Sequence, residues 1–589
     1  MRRRLWLVVV LCLLMTTPAL AAPYVEKEDL TPSTKPVRGG TLRLALPASP
    51  QSFLFYGALD NNAYTVIGQT MTGLVELHPV TNAIRPGLAE SWETSPDGKE
   101  VIFHLRDVKW SDGASFTADD VIFTFENFIM NPVAKGNSAD RFTIVDVTDG
   151  KKKPVQWVKI DNRTVKAVLP SPFGPFYMNL SHAYIYPKHK LESKIDKKRP
   201  DSVNELWLTN VNPKEIVANG PYRIASYVMD QKVVLERNPN YWKVDRFGNQ
   251  LPYFDKLEYL IIKDDEVRLA KFMSGEIDYM AVSAKDFPVL KGKERAGAPF
   301  TVYMAQPTQP TPSPVHISFN YDVEDRNLRT LFTNIDFRRA MECLLDRDRI
   351  IDEVYNGLAI PGGGLVLPSN KAFYNPKIEE IMRPYDPRKA NAALDKLGLD
   401  KRGRDGFRLF PDGKRVEFTL TVASAPQDHQ DIALIFKEDL EKAGIKVNLQ
   451  ILDATLVGNM FGAGNFEAGI RAFGNQPDLE LRKAIWQPGT QLYYWHYSTL
   501  DKDNLAAITK NMTDWEKRVY LLFDRGSVTT DPAKRKEIYD EIQEIYYDVV
   551  PVIFVCKGMN LFAANNSLGN IWQDKQGIVY FSSYTTYRK

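Results

Sequence analysis

Cysteine is scarce in this chain, with three in 589 residues. Cys12 falls in an N-terminal apolar run, which leaves Cys343 and Cys556 for everything else, too few for a disulfide scaffold or a cysteine-built metal site. These two read as buried small hydrophobes, and a bridge between them is left open because geometry decides it. Excess charge is also lacking. The net is +2 from 75 basic and 73 acidic residues, no basis for binding nucleic acid or an anionic membrane surface. Histidine occurs seven times, at 78, 104, 182, 189, 316, 429 and 496, with no pair at helical i, i+4 spacing, so each reads as an ordinary surface or core residue. After the N-terminus no apolar run approaches the roughly 20 residues of a membrane-spanning helix. Gly-x-Ser-x-Gly, His-Glu-x-x-His and Gly-x-x-x-x-Gly-Lys are all missing. Asp119/Asp120 and Asp264/Asp265 read as helix starts or turns, and Pro361-Gly362-Gly363-Gly364 as a flexible turn with no helix start behind it to cradle phosphate. No catalytic residue, metal or cofactor is assigned.

What is present begins at the N-terminus. Arg2, Arg3 and Arg4 precede an apolar run from Leu5 to Met15, and Ala19-Leu20-Ala21 follows as a small-x-small site. Together these read as a secretory signal peptide over 1–21, cleaved after Ala21, since cleavage after Ala22 would leave Pro23 first. Lipid attachment at Cys12 is the alternative, disfavoured by Leu11 before it. Residues 22–38, polar with three prolines, read as a flexible lead-in. What remains far exceeds the roughly 250–300 residues at which one core stops growing, so two or three lobes are expected. Apolar and charged fractions of 44% and 25% are those of a soluble globular protein.

Periodicity supplies the elements. Leu42, Leu44 and Leu46 alternate with polar or small neighbours as a strand. Ser95-Pro96-Asp97-Gly98-Lys99 has turn chemistry, and the alternation of Val101, Phe103 and Leu105 makes a hairpin around it. Thr117 with Asp120 predicts a capped helix carrying Val121, Ile122, Phe125, Phe128 and Ile129. Asp386-Pro387 and Asp531-Pro532 each predict a helix start, and Gly398 a stop. A helix through Ile432, Ile435, Phe436 and Leu440 precedes a strand from Ile445 to Ile451. Strands alternating with helices give an α/β class. Pro307 to Pro314 reads as a connection between lobes. Trp486, Tyr493, Tyr494, Trp495 and Tyr497 cluster, able to stack on sugar faces or line a pocket, or simply to pack between helix and loop.

These residues carry a resemblance. Gly39-Gly40-Thr41-Leu42-Arg43, Leu88-Ala89-Glu90-Ser91-Trp92, Val108-Lys109-Trp110-Ser111-Asp112-Gly113 and Phe116-Thr117-Ala118-Asp119-Asp120-Val121 open a series of blocks. It continues through Asn219-Gly220-Pro221-Tyr222, Glu236-Arg237-Asn238-Pro239-Asn240-Tyr241-Trp242, Ser274-Gly275-Glu276-Ile277-Asp278, Phe337-Arg338-Arg339-Ala340 and Ala443-Gly444-Ile445-Lys446-Val447. In this order, from about 39 to 565, they resemble the extracellular solute-binding proteins of family 5, the oligopeptide-, dipeptide- and nickel-type receptors of ABC importers. The resemblance implies a periplasmic-binding-protein-like two-lobe flytrap with an extra inserted subdomain. Lobe I is expected over 39–75, 215–300 and 545–589, its inserted subdomain over 76–214, and lobe II over 301–544. It also implies a periplasmic location, a monomer, and ABC permease subunits of the inner membrane as partners.

Peptide-binding members of the family anchor the ligand's ammonium with an aspartate before a proline. The corresponding stretch here, Ile470 to Asp478, has no acidic residue before Pro477, and Asp478 lies on its far side. An oligopeptide-like ligand is the first expectation. An oligosaccharide, or a modified or N-blocked conjugate, is the alternative, because an ammonium taken from water without a counter-charge is costly. The resemblance places Tyr64, Asn320, Phe473, Asn475, Asp478, Trp486 and Trp495 toward the ligand. Two other classes stay in view: a secreted hydrolase with an unrecognised site, and a sensor presenting ligand to a membrane receptor.

Overall fold

The computed structural model describes residues 24–57, 60–136, 138–305, 314–362, 364–474, 476–490, 492–500, 508–575 and 577–589. The signal peptide, Asn475 and most of the Pro307–Pro314 stretch lie outside the described residues.

Each strongly patterned segment folds as its chemistry dictates. Thr41–Leu46 is a strand whose Leu42, Leu44 and Leu46 are buried. Ala89–Thr94 and Glu100–Leu105 pair antiparallel around the expected turn, where Ser95 N donates to the Glu100 carbonyl and Gly98 takes a φ of 70°. Thr117 and Asp120 form the reciprocal cap of a helix, Ala118–Thr124, that widens into a π turn over Phe125–Ile129. Asp264, Asp386 and Asp531 each accept a backbone amide at the start of their helices. Cys343 and Cys556 are free and buried, as two small core residues.

Two sets of sheets sit on separate cores. In the first set, Tyr222–Val228, Lys232–Arg237, Lys256–Ile261 and Thr41–Leu46 lie side by side, the last pair parallel. One continuous core joins this sheet to the antiparallel sheet of 89–168, through residues such as Leu42, Phe103, Trp110, Phe128, Tyr186 and Leu257. A three-stranded sheet of Tyr279–Ala281, Asn560–Asn565 and Phe300–Ala305 covers a smaller cluster beside it. The second set is a five-stranded sheet ordered Lys446–Leu452, Glu417–Ala423, Ala468–Ala472, Val315–Phe319 and Val552–Phe554. Its core runs from Val315 to Cys556.

The chain passes between the two sets twice, once between Ala305 and Val315 and once between Phe554 and Asn560. This second passage shifts an expected boundary. Residues 545–556, given to lobe I from sequence, belong to the second core: Tyr546, Tyr547, Ile553 and Cys556 pack there, and Val552–Phe554 pairs with the strand at 315. The lead-in is also corrected. Tyr24–Val25 pairs with Lys243–Val244, Leu30 is fully buried, and the buried Glu26 carboxylate meets Arg85 at 2.6 Å and Lys243 at 3.2 Å. Polar composition indicated mobility there, but an ion cluster docks the segment.

The inserted sheet reaches across to the second set. Gly174 N donates to the Ser527 carbonyl, and a Cβ at Gly174 would stand 2.6 Å from the Thr529 carbonyl oxygen, so the two backbones touch only because position 174 has no side chain. Nearby, Lys152 lies 3.7 Å from Asp524.

Candidate ligand-binding site

On the second body the strand Ala468–Ala472 delivers Phe473 to the edge of an aromatic cluster. The half-buried Phe473 ring stacks on His316 at 5.5 Å and stands 6.5 Å from Trp486. His316 is fixed through Nε2 to the Tyr494 hydroxyl at 2.9 Å. Burial first, and Arg471 second, pull its pKa down to about 3, so it is neutral at physiological pH. Trp486 packs among Trp495, Tyr546 and Phe554, and Trp495 is fully buried. Most of the cluster that looked able to stack on a ligand therefore faces the core, while Phe473 and Tyr497 remain partly exposed, Tyr497 lining a separate cavity with Asn320 and Asp322.

Two polar expectations are likewise committed. The buried Asn320 donates to the carbonyls of Gly464 and Phe466 at 2.8 and 2.7 Å, and its oxygen accepts Asp322 N. Asp478 caps the turn Leu479–Arg482 and is held by Arg535 at 2.5 and 2.7 Å. Both partners are buried, and the Arg535 fork occupies both carboxylate oxygens, leaving Asp478 no face for a ligand ammonium.

On the first body Asp60 caps the helix Asn61–Ile67, which carries Tyr64 against Phe55 at a ring separation of 4.7 Å. The next turn of this helix, with Ser181, Tyr184, Tyr279 and Phe581, lines a cavity of about 540 Å³. Ser181 in turn meets His182 Nδ1 at 3.1 Å.

Three residues outside the expected site, Arg141, His182 and Arg482, are linked electrostatically, and the charge of Arg141 acts on Tyr64 as well. Arg141 and His182 come from the inserted sheet's side and Arg482 from the second body. Burial, then Arg141, lowers the Arg482 pKa to about 10, while burial, then Arg141, lowers His182 to about 4. Arg482 Nε is buried without a hydrogen-bond partner among the described residues. No helix among the described residues is long and apolar enough to cross a membrane, and none of their His, Cys, Asp and Glu side chains group to hold a metal.

Two α/β bodies joined by two passages, touching through Gly174 and Ser527 and through Lys152 and Asp524, have the architecture of two-lobe binding proteins. The chain belongs to the bacterial extracellular solute-binding proteins, family 5, whose model matches residues 83–533. It is 30% identical over 582 residues to the periplasmic alpha-galactoside-binding protein of Rhizobium meliloti, covering 93% of this chain and 80% of that one. Its fold is similar to that of a periplasmic binding protein from Agrobacterium fabrum C58 solved with stachyose, with a TM-score of 0.77, 22% identity, and 96% and 87% of the two chains covered. It is also similar to the oligopeptide-binding protein of Bacillus subtilis solved with a nonapeptide, with a TM-score of 0.72, 22% identity, and 94% and 100% covered.

Proposed function

We propose that this protein is the exported receptor of a bacterial ABC importer, which closes two lobes over a solute and hands it unchanged to permease subunits. The observation that carries this reading is the arrangement itself. Two separately cored bodies, linked at two passages, meet where the Gly174 backbone touches Ser527 and Thr529. A solute touching both bodies stabilises the closed state by its differential affinity, and a permease that reads closure then distinguishes loaded from empty receptor. In this reading the first lobe and its insert run to about residue 305, the second lobe from about 315 to 556, and the remainder returns to the first. Cleavage after Ala21 releases the protein to the periplasm as a monomer. It makes and breaks no covalent bond in its solute.

For the ligand, the closed Asp478–Arg535 pair favours a solute with no free α-amino group to satisfy, an oligosaccharide or an N-blocked conjugate, over an ordinary oligopeptide. The similarity to the alpha-galactoside receptor supports the same choice. Phe473 and Tyr64 supply ring edges from the two sides. Thermal unfolding against oligosaccharides, free peptides and N-acetylated peptides tests this. Solute at 100 times its Kd should add about 2.7 kcal/mol of stability. Stabilisation by free peptides alone would reverse the ligand assignment.

A further inference from the structure

Two lysines line a groove of the second lobe without pairing to an acid. The groove runs between the helices Ile335–Cys343 and Pro387–Leu394, the second continued by a π turn over Asp395–Leu399. The helices are tied where Asp386 N donates to the Cys343 carbonyl at 2.8 Å. Phe337 and Met341 from one, and Ala390 and Leu394 from the other, enter the core. Beside each buried face a second face, at spacings of three, four and seven residues, lines a cavity of about 540 Å³. The buried part of the lining is small and apolar, from Ala340, Cys343 and Ala393, and the rest is basic: Arg339, Arg383, Lys389 and Lys396. Asp336 is the one carboxylate among the described lining residues, and it lies 3.5 Å from Arg339. The arginines belong to the frame of the lobe. Arg339 meets Asp548 at 2.6 Å, and Arg383 meets Glu342 at 3.1 Å and Asp548 at 3.4 Å. Glu342 in turn holds Arg347, which donates to the Phe554 carbonyl just before the second passage. Lys389 and Lys396 are different. Both are exposed, two turns apart on one face, and neither joins an ion pair or a side-chain hydrogen bond among the described residues.

A single exposed lysine is simply solvated. Two of them at a concave wall of low dielectric, with two guanidinium groups beside them, concentrate a positive field in the groove. Its volume lies within the roughly 300–1,000 Å³ of small-molecule sites. Ammonium groups hold phosphate as point charges, and two of them match the charge of about −2 on a phosphate monoester. The alanines, too short to fill the space, leave room for a small carbon body behind the phosphate. We propose that this groove is a second binding site, on one lobe alone, that takes a phosphate ester, with the phosphate held by Lys389 and Lys396. The proposal goes beyond the receptor reading and does not depend on it. Glycerol phosphate carries this chemistry both as a free ester and as the headgroup of an anionic phospholipid.

The test has a soluble arm and a membrane arm, both on the full mature protein. Calorimetry compares glycerol 3-phosphate with glycerol. Sedimentation compares vesicles of phosphatidylcholine with vesicles of equal parts phosphatidylcholine and phosphatidylglycerol. In at least one arm the phosphate-ester or anionic probe should bind and its control should not, with affinity falling as salt rises. Binding in the soluble arm alone assigns a free ester, and binding in the membrane arm alone a lipid headgroup; either result, or both, supports the site. Lys389→Met combined with Lys396→Met should weaken that binding about tenfold or more. The unfolding transition should stay in place, because neither lysine has a partner to lose. Arginine at both positions should keep most of the affinity, which separates charge from shape. Probes and controls behaving alike in both arms, or binding that the double Met variant leaves unchanged, overturns the site. Solute capture between the lobes is untouched by either result.

Discussion

Arg535 closes on Asp478 with two nitrogens, at 2.5 and 2.7 Å, in a site where both side chains are buried. The same guanidinium donates to the Tyr539 hydroxyl and the Gly526 carbonyl, so it ties the turn at 478 to the helices on either side of residue 530. Asp478 thus shapes the second lobe and positions Arg482 four residues on.

Breaking that pair from one side should therefore be a stability event. Asp478→Ala leaves a buried guanidinium uncompensated and should cost about 3–5 kcal/mol in denaturant unfolding. N-acetylating a bound peptide should leave its affinity within about threefold. A large loss of affinity on acetylation would show that an acidic group does receive the ligand's amine.

Gly174 should control closure. Gly174→Ala drives a methyl against the Thr529 carbonyl, so the inserted sheet and second lobe must separate by a fraction of an ångström to several. Ligand affinity should fall about tenfold or more through the lost closed population, with each lobe's own unfolding transition little changed. Equal affinity in the variant would mean that the backbone contact at 174 plays no part in closure.

Lys557 is fully buried and its Nζ has no hydrogen-bond partner among the described residues. Burial pulls its pKa down to about 7 from the usual value near 10.5. The folded state therefore binds fewer protons than the unfolded chain between these values, and stability should rise from pH 7 toward pH 10. Lys557→Met should stabilise the protein at neutral pH by about 1–4 kcal/mol and flatten that rise. Urea midpoints across this range measure it.

At the docked N-terminal segment the sign is opposite. Burial pushes the Glu26 carboxyl up, but Lys243 and Arg85 outweigh it and hold its pKa at about 2. Its stabilisation is fully present above the unfolded value near 4.5 and is lost as pH falls toward 2. Glu26→Gln should cost on the order of 3 kcal/mol at pH 7 and close to nothing at pH 2.

Local chemistry made the elements legible. Thr117 with Asp120, Asp386-Pro387, Asp531-Pro532 and Gly98 encode caps and turns within a few residues, and each folds as those residues require. The family blocks supplied the architecture. The site was far less legible, because its meaning lies in which partner each polar group meets. Asp478 looked available until Arg535, distant in sequence, was seen to occupy it, and Asn320 is spent on two backbone carbonyls. Trp486 and Trp495 lie in a sequence-dense aromatic run, and that density builds a packed core. The lead-in misled for a similar reason: Glu26 is polar, and its partners Arg85 and Lys243 are distant in sequence.

One recovery experiment tests receptor function most directly. Mature protein is unfolded, the released solute identified by mass spectrometry, rebound to refolded protein, and recovered again. The solute should return at one per chain with its mass unchanged. A solute that comes back chemically altered, or a refolded protein that retains none of it, would contradict the receptor account.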